Sequence, residues 1–221
     1  MELLEGIRNR KTFRGFTAEK VSKEIIQEIL LDGHMAPSAS NMQPWNFHVL
    51  TGTPLSELCD NIEDFHKNRK VSYDLTKDRK IPEKYMKRRK ELFKELRPII
   101  STLGDKNRQF IESGSIRFYD APAVIFITTD CALPETKLMD IGMAAENIML
   151  SAHARGLATC AIAYTLLYAE PIEKALNLDT NSETVLSISL GYPDNSFPVN
   201  NFRSSREELN SVTFWQGFEE N

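Results

Sequence analysis

The chain has 221 residues, 41% of them apolar and 26% charged, with a formal net charge of −4. This suits one globular unit with a sizeable core and excludes collagen-like, low-complexity and disordered readings. No apolar run reaches the roughly 18 residues of a bilayer span, no secretory h-region opens the chain, and Cys59, Cys131 and Cys160 are too few and scattered for a disulfide framework; a cytoplasmic protein that binds neither membrane nor nucleic acid is expected.

Leu3–Asn9 reads as a short helix. Ser22–Met35 reads as a stronger one: Ser22 is placed to cap it, and Ile25, Ile26, Ile29 and Leu30 fall at helical spacing. Asn46–Leu50 alternates Phe47 and Val49, which predicts a strand. Residues 67–97 then carry thirteen Lys and Arg against five acids, and Glu83–Leu96 within them reads as a helix. Charge runs usually face water, so a solvated helical insertion is one reading. A basic lid that attracts anionic substrates or the phosphates of a pyridine nucleotide is the other.

Pro122–Thr129 is apolar and β-branched, as in a buried central strand. Glu135–Arg155 reads as the longest helix, and Gly142, Ala144, Ala145, Ser151, Ala152 and Ala154 let neighbours approach its backbone closely. No chemistry is read into its Glu146. Ala158–Ala163 and Val185–Leu190 read as strands, with Ile172–Leu178 helical between them. The tail from Asn195 to Asn221 is polar but carries Phe202, Phe214, Trp215 and Phe218, so it is expected to dock on something.

Several chemistries lack a signature. No two glycines lie within two positions of each other, which removes both GxGxxG and the P-loop. CxxC, HExxH and GxSxG are absent, and the four His show no metal-ligand spacing. A bound phosphate must therefore be gripped by side chains or single backbone amides, which points to Arg.

Two segments offer such chemistry. In Arg10-Lys11-Thr12-Phe13-Arg14-Gly15-Phe16, the residues Arg10, Thr12 and Arg14 recur at every second position. In an extended segment they point the same way and set two guanidinium forks about a hydroxyl, a cradle for an anion. Basic residues after a surface helix are also common, so the pattern alone is weak. In Ala36-Pro37-Ser38-Ala39-Ser40-Asn41-Met42-Gln43-Pro44-Trp45, small residues let a planar ligand approach the backbone and the prolines stiffen the loop. A well-ordered helix–strand turn with a buried Trp45 is the plainer reading.

Together these segments resemble the FMN-dependent nitroreductase family: R-x-(S/T)-x-R-x-F at Arg10–Phe16 and A-P-S-x-x-N-x-Q-P-W at Ala36–Trp45. D-A-P at Asp120–Pro122, G-L-A-T-C at Gly156–Cys160 and L-G-Y-P at Leu190–Pro193 continue the match, which spans the chain apart from roughly residues 60–112. The long insertion looks most like the nitrobenzoate-reductase branch.

The resemblance implies an α+β fold, with a central, mainly antiparallel sheet flanked by helices, in a domain-swapped homodimer. It implies one domain over 1–221, with a basic helical insertion at about 60–112 and a C-terminal extension at about 195–221. Arg10, with Thr12 nearby, would grip the FMN phosphate, and Arg14 would approach the pyrimidine edge of the flavin. Pro37, Ser38, Ala39 and Asn41 would come from the second subunit. Arg117 would lie near the pyrimidine, Ala163 and Tyr164 near flavin N5, and Arg206, or else Arg203, at the phosphate. The flavin does the chemistry, so no catalytic side chain and no metal is expected. The implied activity is ping-pong electron transfer from NADH or NADPH to a small nitroaromatic or quinone-like acceptor. Reductive dehalogenation, or enone or flavin reduction, on the same fold is the alternative, as is a non-catalytic protein that binds polyanions through the 67–97 segment.

Overall fold

The structure is a computed structural model that describes residues 2–69, 80–104 and 110–218. Residues 70–79 of the basic stretch, on which part of the lid reading falls, lie outside the described residues.

Its centre is a four-stranded antiparallel sheet in the order β1-β2-β4-β3, formed by Asn46–Thr51 (β1), Ala123–Asp130 (β2), Ala158–Ile162 (β3) and Ser182–Gly191 (β4). Strand β2 sits between β1 and β4 and is buried along nearly its whole length. Its alternate side chains feed opposite faces. Ala123, Ile125 and Ile127 pack with helices α2 (Lys23–His34) and α6 (Lys137–Ala154). Val124 and Phe126 pack on the other face with Leu55, Leu58 and Ile62 of α3 (Gly52–Arg69), Ile116 of α5 (Phe110–Ile116) and Ile172 of α7 (Ala169–Ala175). The result is three layers, helix–sheet–helix, around two cores.

Most elements form where the sequence places them, and four of the differences bear on the layers described above. Helix α3 follows β1 directly and has no counterpart in the sequence reading; Gly52, with φ of +58°, makes the turn. Helix α5 is likewise new. Helix α4 (Glu83–Ser101) runs past Pro98, because Leu96 and Ile100 beyond its basic half bury against Val199 and the neighbouring Phe197 and Phe202. Helix α7 begins earlier than expected and ends before Asn177, which takes a left-handed φ of 50°. The insertion is thus not wholly solvated: its far end docks on the chain after β4.

The amino-terminal helix α1 (Leu3–Asn9) packs on α6. Arg10 turns the chain into an extended strip. Thr12 of that strip bridges Thr159 at the free edge of β3, and the Phe13 N–H donates to the Thr159 carbonyl at 3.0 Å. No helix among the described residues is long and apolar enough to cross a membrane.

Candidate functional site

The edge strip brings Arg10, Thr12 and Arg14 to one cavity of about 450 Å³. Arg8 and Lys11 join them, Arg203 and Arg206 close it from the carboxyl-terminal side, and Leu92 and Leu96 of α4 supply an apolar wall. Arg203 and Arg206, alternatives in the sequence, therefore face the same hollow. Six cationic side chains line it and no carboxylate does. Among the described residues only Arg10 of the six has a carboxylate partner: its Nε donates to Glu146 Oε1 at 2.9 Å.

The strip is pinned by a residue the sequence did not flag. The side chain of Asn200 is buried; its Oδ1 accepts from the Arg14 N–H at 2.8 Å, and its Nδ2 donates to the carbonyls of Gly15 at 2.8 Å and Asp194 at 2.9 Å. Lys11 Nζ donates to the Asn200 carbonyl. The Arg14 guanidinium donates from Nε to the Tyr119 hydroxyl at 3.2 Å and lies 5.8 Å from that ring's centre. Tyr119 fits because residue 114 is glycine; a Cβ there would strike its ring. Backbone and guanidinium of Arg14 are thus fixed separately. Like charges held around one hollow repel, and an anion relieves them. Guanidinium forks with a hydroxyl between them match a phosphate monoester, so the donors present fit the phosphate of FMN.

The segment 36–45 is a strained, well-tied turn. Ser40, Asn41 and Gln43 take φ of 52°, 56° and 48°, the left-handed region, which costs about 1–3 kcal/mol for each such residue. Hydrogen bonds hold it: the Gln43 N–H to Ser38 Oγ at 3.0 Å, Gln43 Nε2 to the Asn41 carbonyl at 3.0 Å, and the Ala39 N–H to Asp140 Oδ2 on α6 at 3.2 Å. Trp45 is buried and donates from Nε1 to His34 Nδ1 at 3.1 Å. Pro37, Ala39 and Asn41 are exposed and Ser38 half-buried. None of the four lines the cationic cavity. They sit at the start of α6, beside exposed Met35, Met42 and Met139.

Arg117 does not line that cavity either. Its guanidinium donates to Asp120 Oδ1 at 2.9 Å and to Glu63 Oε1 at 2.9 Å, with Asp60 Oδ1 at 3.5 Å. Glu63, then Asp120, raise its pKa further above an already high value. It ties α3 to Phe118–Asp120, three successive residues with φ of 51–55°.

Ala163 is exposed just past the end of β3. The Tyr164 hydroxyl donates to Glu112 Oε1 at 2.7 Å, and burial, then Glu112, push its pKa well up. The Tyr168 hydroxyl meets His66 Nδ1 at 2.6 Å. This cluster joins α3, α5 and the end of β3. Its α3 and α5 members come from helices absent from the sequence reading.

A model of the Nitroreductase family matches residues 7–192. The chain is 32% identical over 216 residues to 4-nitrobenzoate reductase of Pseudomonas putida, which covers 96% of this chain and 95% of that protein. The crystal structure of the FMN-dependent nitroreductase NfnB from Mycobacterium smegmatis, in complex with NADPH, superposes with a TM-score of 0.87 at 26% identity, over 96% of this chain and 97% of that one. A point mutant of the FMN and NADPH-dependent nitroreductase NfnB from Sphigopyxis sp. strain HMH superposes with a TM-score of 0.89 at 25% identity, over 99% and 100%.

Proposed function

The chain belongs to the nitroreductase family, and from that premise we propose that it is an FMN-dependent oxidoreductase passing electrons from NADH or NADPH to a nitroaromatic or quinone-like acceptor. The observation that carries this is the acid-free cavity with its six cations. Arg10, Arg203 and Arg206, with the Thr12 hydroxyl, hold the phosphate, and Glu146 keeps the Arg10 fork aimed. Leu92 and Leu96 keep water from one side of that ion cluster, which strengthens every charge interaction within it.

Bound FMN supplies a ring that accepts two electrons from the nicotinamide and delivers them to the acceptor. Arg14, fixed by Asn200 and Tyr119, would be the cation preorganised to meet negative charge at the flavin's pyrimidine edge. Ala163 and Tyr164 close the site at the end of β3, where Glu112 restrains the Tyr164 ring. Arg117 serves in this reading as a brace for the turn that carries Tyr119, not as a flavin contact. Pro37, Ser38, Ala39 and Asn41 reach the flavin of a second copy across a homodimer seam. The kinetics in this reading would be ping-pong, the donor leaving before the acceptor binds, and no side chain would need to act as acid or base.

The test is an absorbance spectrum of purified protein supplied with FMN. The flavin bands should persist through desalting, bleach anaerobically with NADH or NADPH, and return on addition of a nitroarene or a quinone. Protein that stays colourless after incubation with FMN overturns the reading.

A further inference from the structure

The positive charge around the phosphate cavity exceeds what FMN neutralises. A phosphomonoester carries about two negative charges at neutral pH, against six lining cations of which one is paired among the described residues. Beyond that cavity the cations continue into a hollow where Arg88, Arg89 and Arg206 are matched in number by Glu91, Glu207 and Glu208. Leu92, Ser204 and Arg206 also wall a second cavity of about 780 Å³, between α4 and the short helix α8 (Leu209–Val212). Arg88 and Arg89 of α4 line it too. Arg88 is engaged by Glu207 at 2.7 Å, and Glu91 lies 4.0 Å from Lys87. Arg89 and Arg206 have no carboxylate partner among the described residues, and Arg206 is held from one side by the Ser204 hydroxyl at 2.9 Å. Leu92 and Val212 provide apolar flanks, and Glu208 offers an acceptor with no cation on it among the described residues.

Arg89, with no carboxylate partner among the described residues, and Arg206, held only by neutral oxygens of Ser204 and Ser205, stand with an apolar flank and the Glu208 acceptor in a hollow that shares a wall with the flavin phosphate cavity, which suits a nucleoside carrying its own phosphate monoester. We propose that this second cavity takes the adenosine 2′-phosphate end of NADPH, with Arg89 as the principal reader of the phosphate and Arg206 shared between it and the FMN phosphate. The inference rests on the reading of the chain as an FMN-dependent NAD(P)H oxidoreductase. NADPH and NADH differ only in that phosphate, so a guanidinium fork with no internal partner is the device that separates them. The basic insertion then serves both nucleotides, since its inner apolar face walls the flavin phosphate and its outer Arg89 selects the electron donor.

The test compares 2′,5′-ADP with 5′-AMP, which differ by the 2′-phosphate alone, in titration calorimetry on FMN-loaded protein. The parent should bind 2′,5′-ADP about tenfold more tightly or better, as one charge-assisted contact allows. Arg89→Ala should abolish that difference and lower the NADPH-to-NADH ratio of kcat/KM about tenfold. Equal binding of the two nucleotides by the parent overturns the inference without any variant. An undiminished preference in Arg89→Ala overturns it as well. Both results leave the flavin reading standing, whereas protein that retains no FMN removes that reading first.

Discussion

Arg10 and Arg14 do different work although they are four residues apart. Arg10 faces a hollow lined by cations with no carboxylate partner among the described residues and is bonded to Glu146, so in its proposed role its replacement would remove a charge-assisted bond to a bound phosphate. Such bonds are worth about 1.5–3 kcal/mol, so Arg10→Ala should weaken FMN binding about 10- to 100-fold. It should leave riboflavin, which has no phosphate, unaffected. Parallel fluorescence titrations with the two flavins check this, and an equal loss for both would remove the phosphate assignment. Asn200→Ala orphans the Arg14 N–H, at about 1–3 kcal/mol, and takes one of two donors from the Gly15 carbonyl, which keeps the Asp194 N–H. A drop in the urea midpoint of the flavin-free protein would show it. The strip at 10–14 was legible because every-second-residue spacing survives folding in an extended segment. Asn200 was not, because its bonds span about 185 residues and nothing local marks an Asn as a clamp. Arg117 was placed by its position ahead of Asp120, while Asp60 and Glu63, which share it, come from a helix that was not read.

Among the elements, the seam between α2 and α6 is the most exacting. A Cβ on Gly33 would lie 2.5 Å from Ile148 Cγ1, so these helices approach only because residue 33 has no side chain. Overpacking of this kind costs about 1–3 kcal/mol, and Gly33→Ala should lower the unfolding free energy by that amount in a urea titration. The same seam carries a pH-dependent bond. Asp32 accepts from Ser151 Oγ at 2.6 Å and from Arg155 Nη1 at 2.9 Å. The serine first, and the arginine with it, hold its carboxyl below the ordinary value of 3.8. A depressed carboxylate stabilises the fold fully above its unfolded pKa and loses that contribution as pH falls through the folded one. Asp32→Asn should therefore be less stable than the parent at neutral pH, with the gap closing from about pH 4 downward, as urea midpoints across that range would show. Elements with clean periodicity, such as α2, α6 and β2, were legible. Helix α3 was not: it opens on Gly-Thr-Pro and shares its buried residues Leu55, Leu58, Cys59 and Ile62 with closely spaced charges. Helix α4 outlasts Pro98 because burial of Leu96 and Ile100 outweighs the missing N–H, a balance that local propensity does not contain.

For the whole molecule, the exposed apolar surface is the feature that one chain leaves unexplained. Leu138, Met139 and Met143 stand on α6 with Gly142 between them, Met139 being 66% exposed. Leu3, Leu4 and Ile7 on α1, Met35 and Met42 about the strained loop, and Phe214, Trp215 and Phe218 in the tail add to it. A monomer rarely leaves so much large apolar side chain in water, and the proposed homodimer is what would cover it. Two contacts tie this surface to the proposed flavin site. The loop 36–45 is bonded to Asp140 of α6, and the Arg10 partner Glu146 lies two turns beyond Leu138 on the same helix. Assembly and FMN retention should therefore fail together. Met139→Asp places a charge at the centre of the α6 patch, where burial would leave it unpaired. The variant should sediment as a monomer at concentrations where the parent is a dimer, and should lose FMN on dilution. A Met139→Asp protein that remains dimeric and yellow would move the interface off α6, and with it the donation of Pro37–Asn41 across the seam. A monomer that keeps FMN as firmly as the parent would instead place the whole flavin site within one chain.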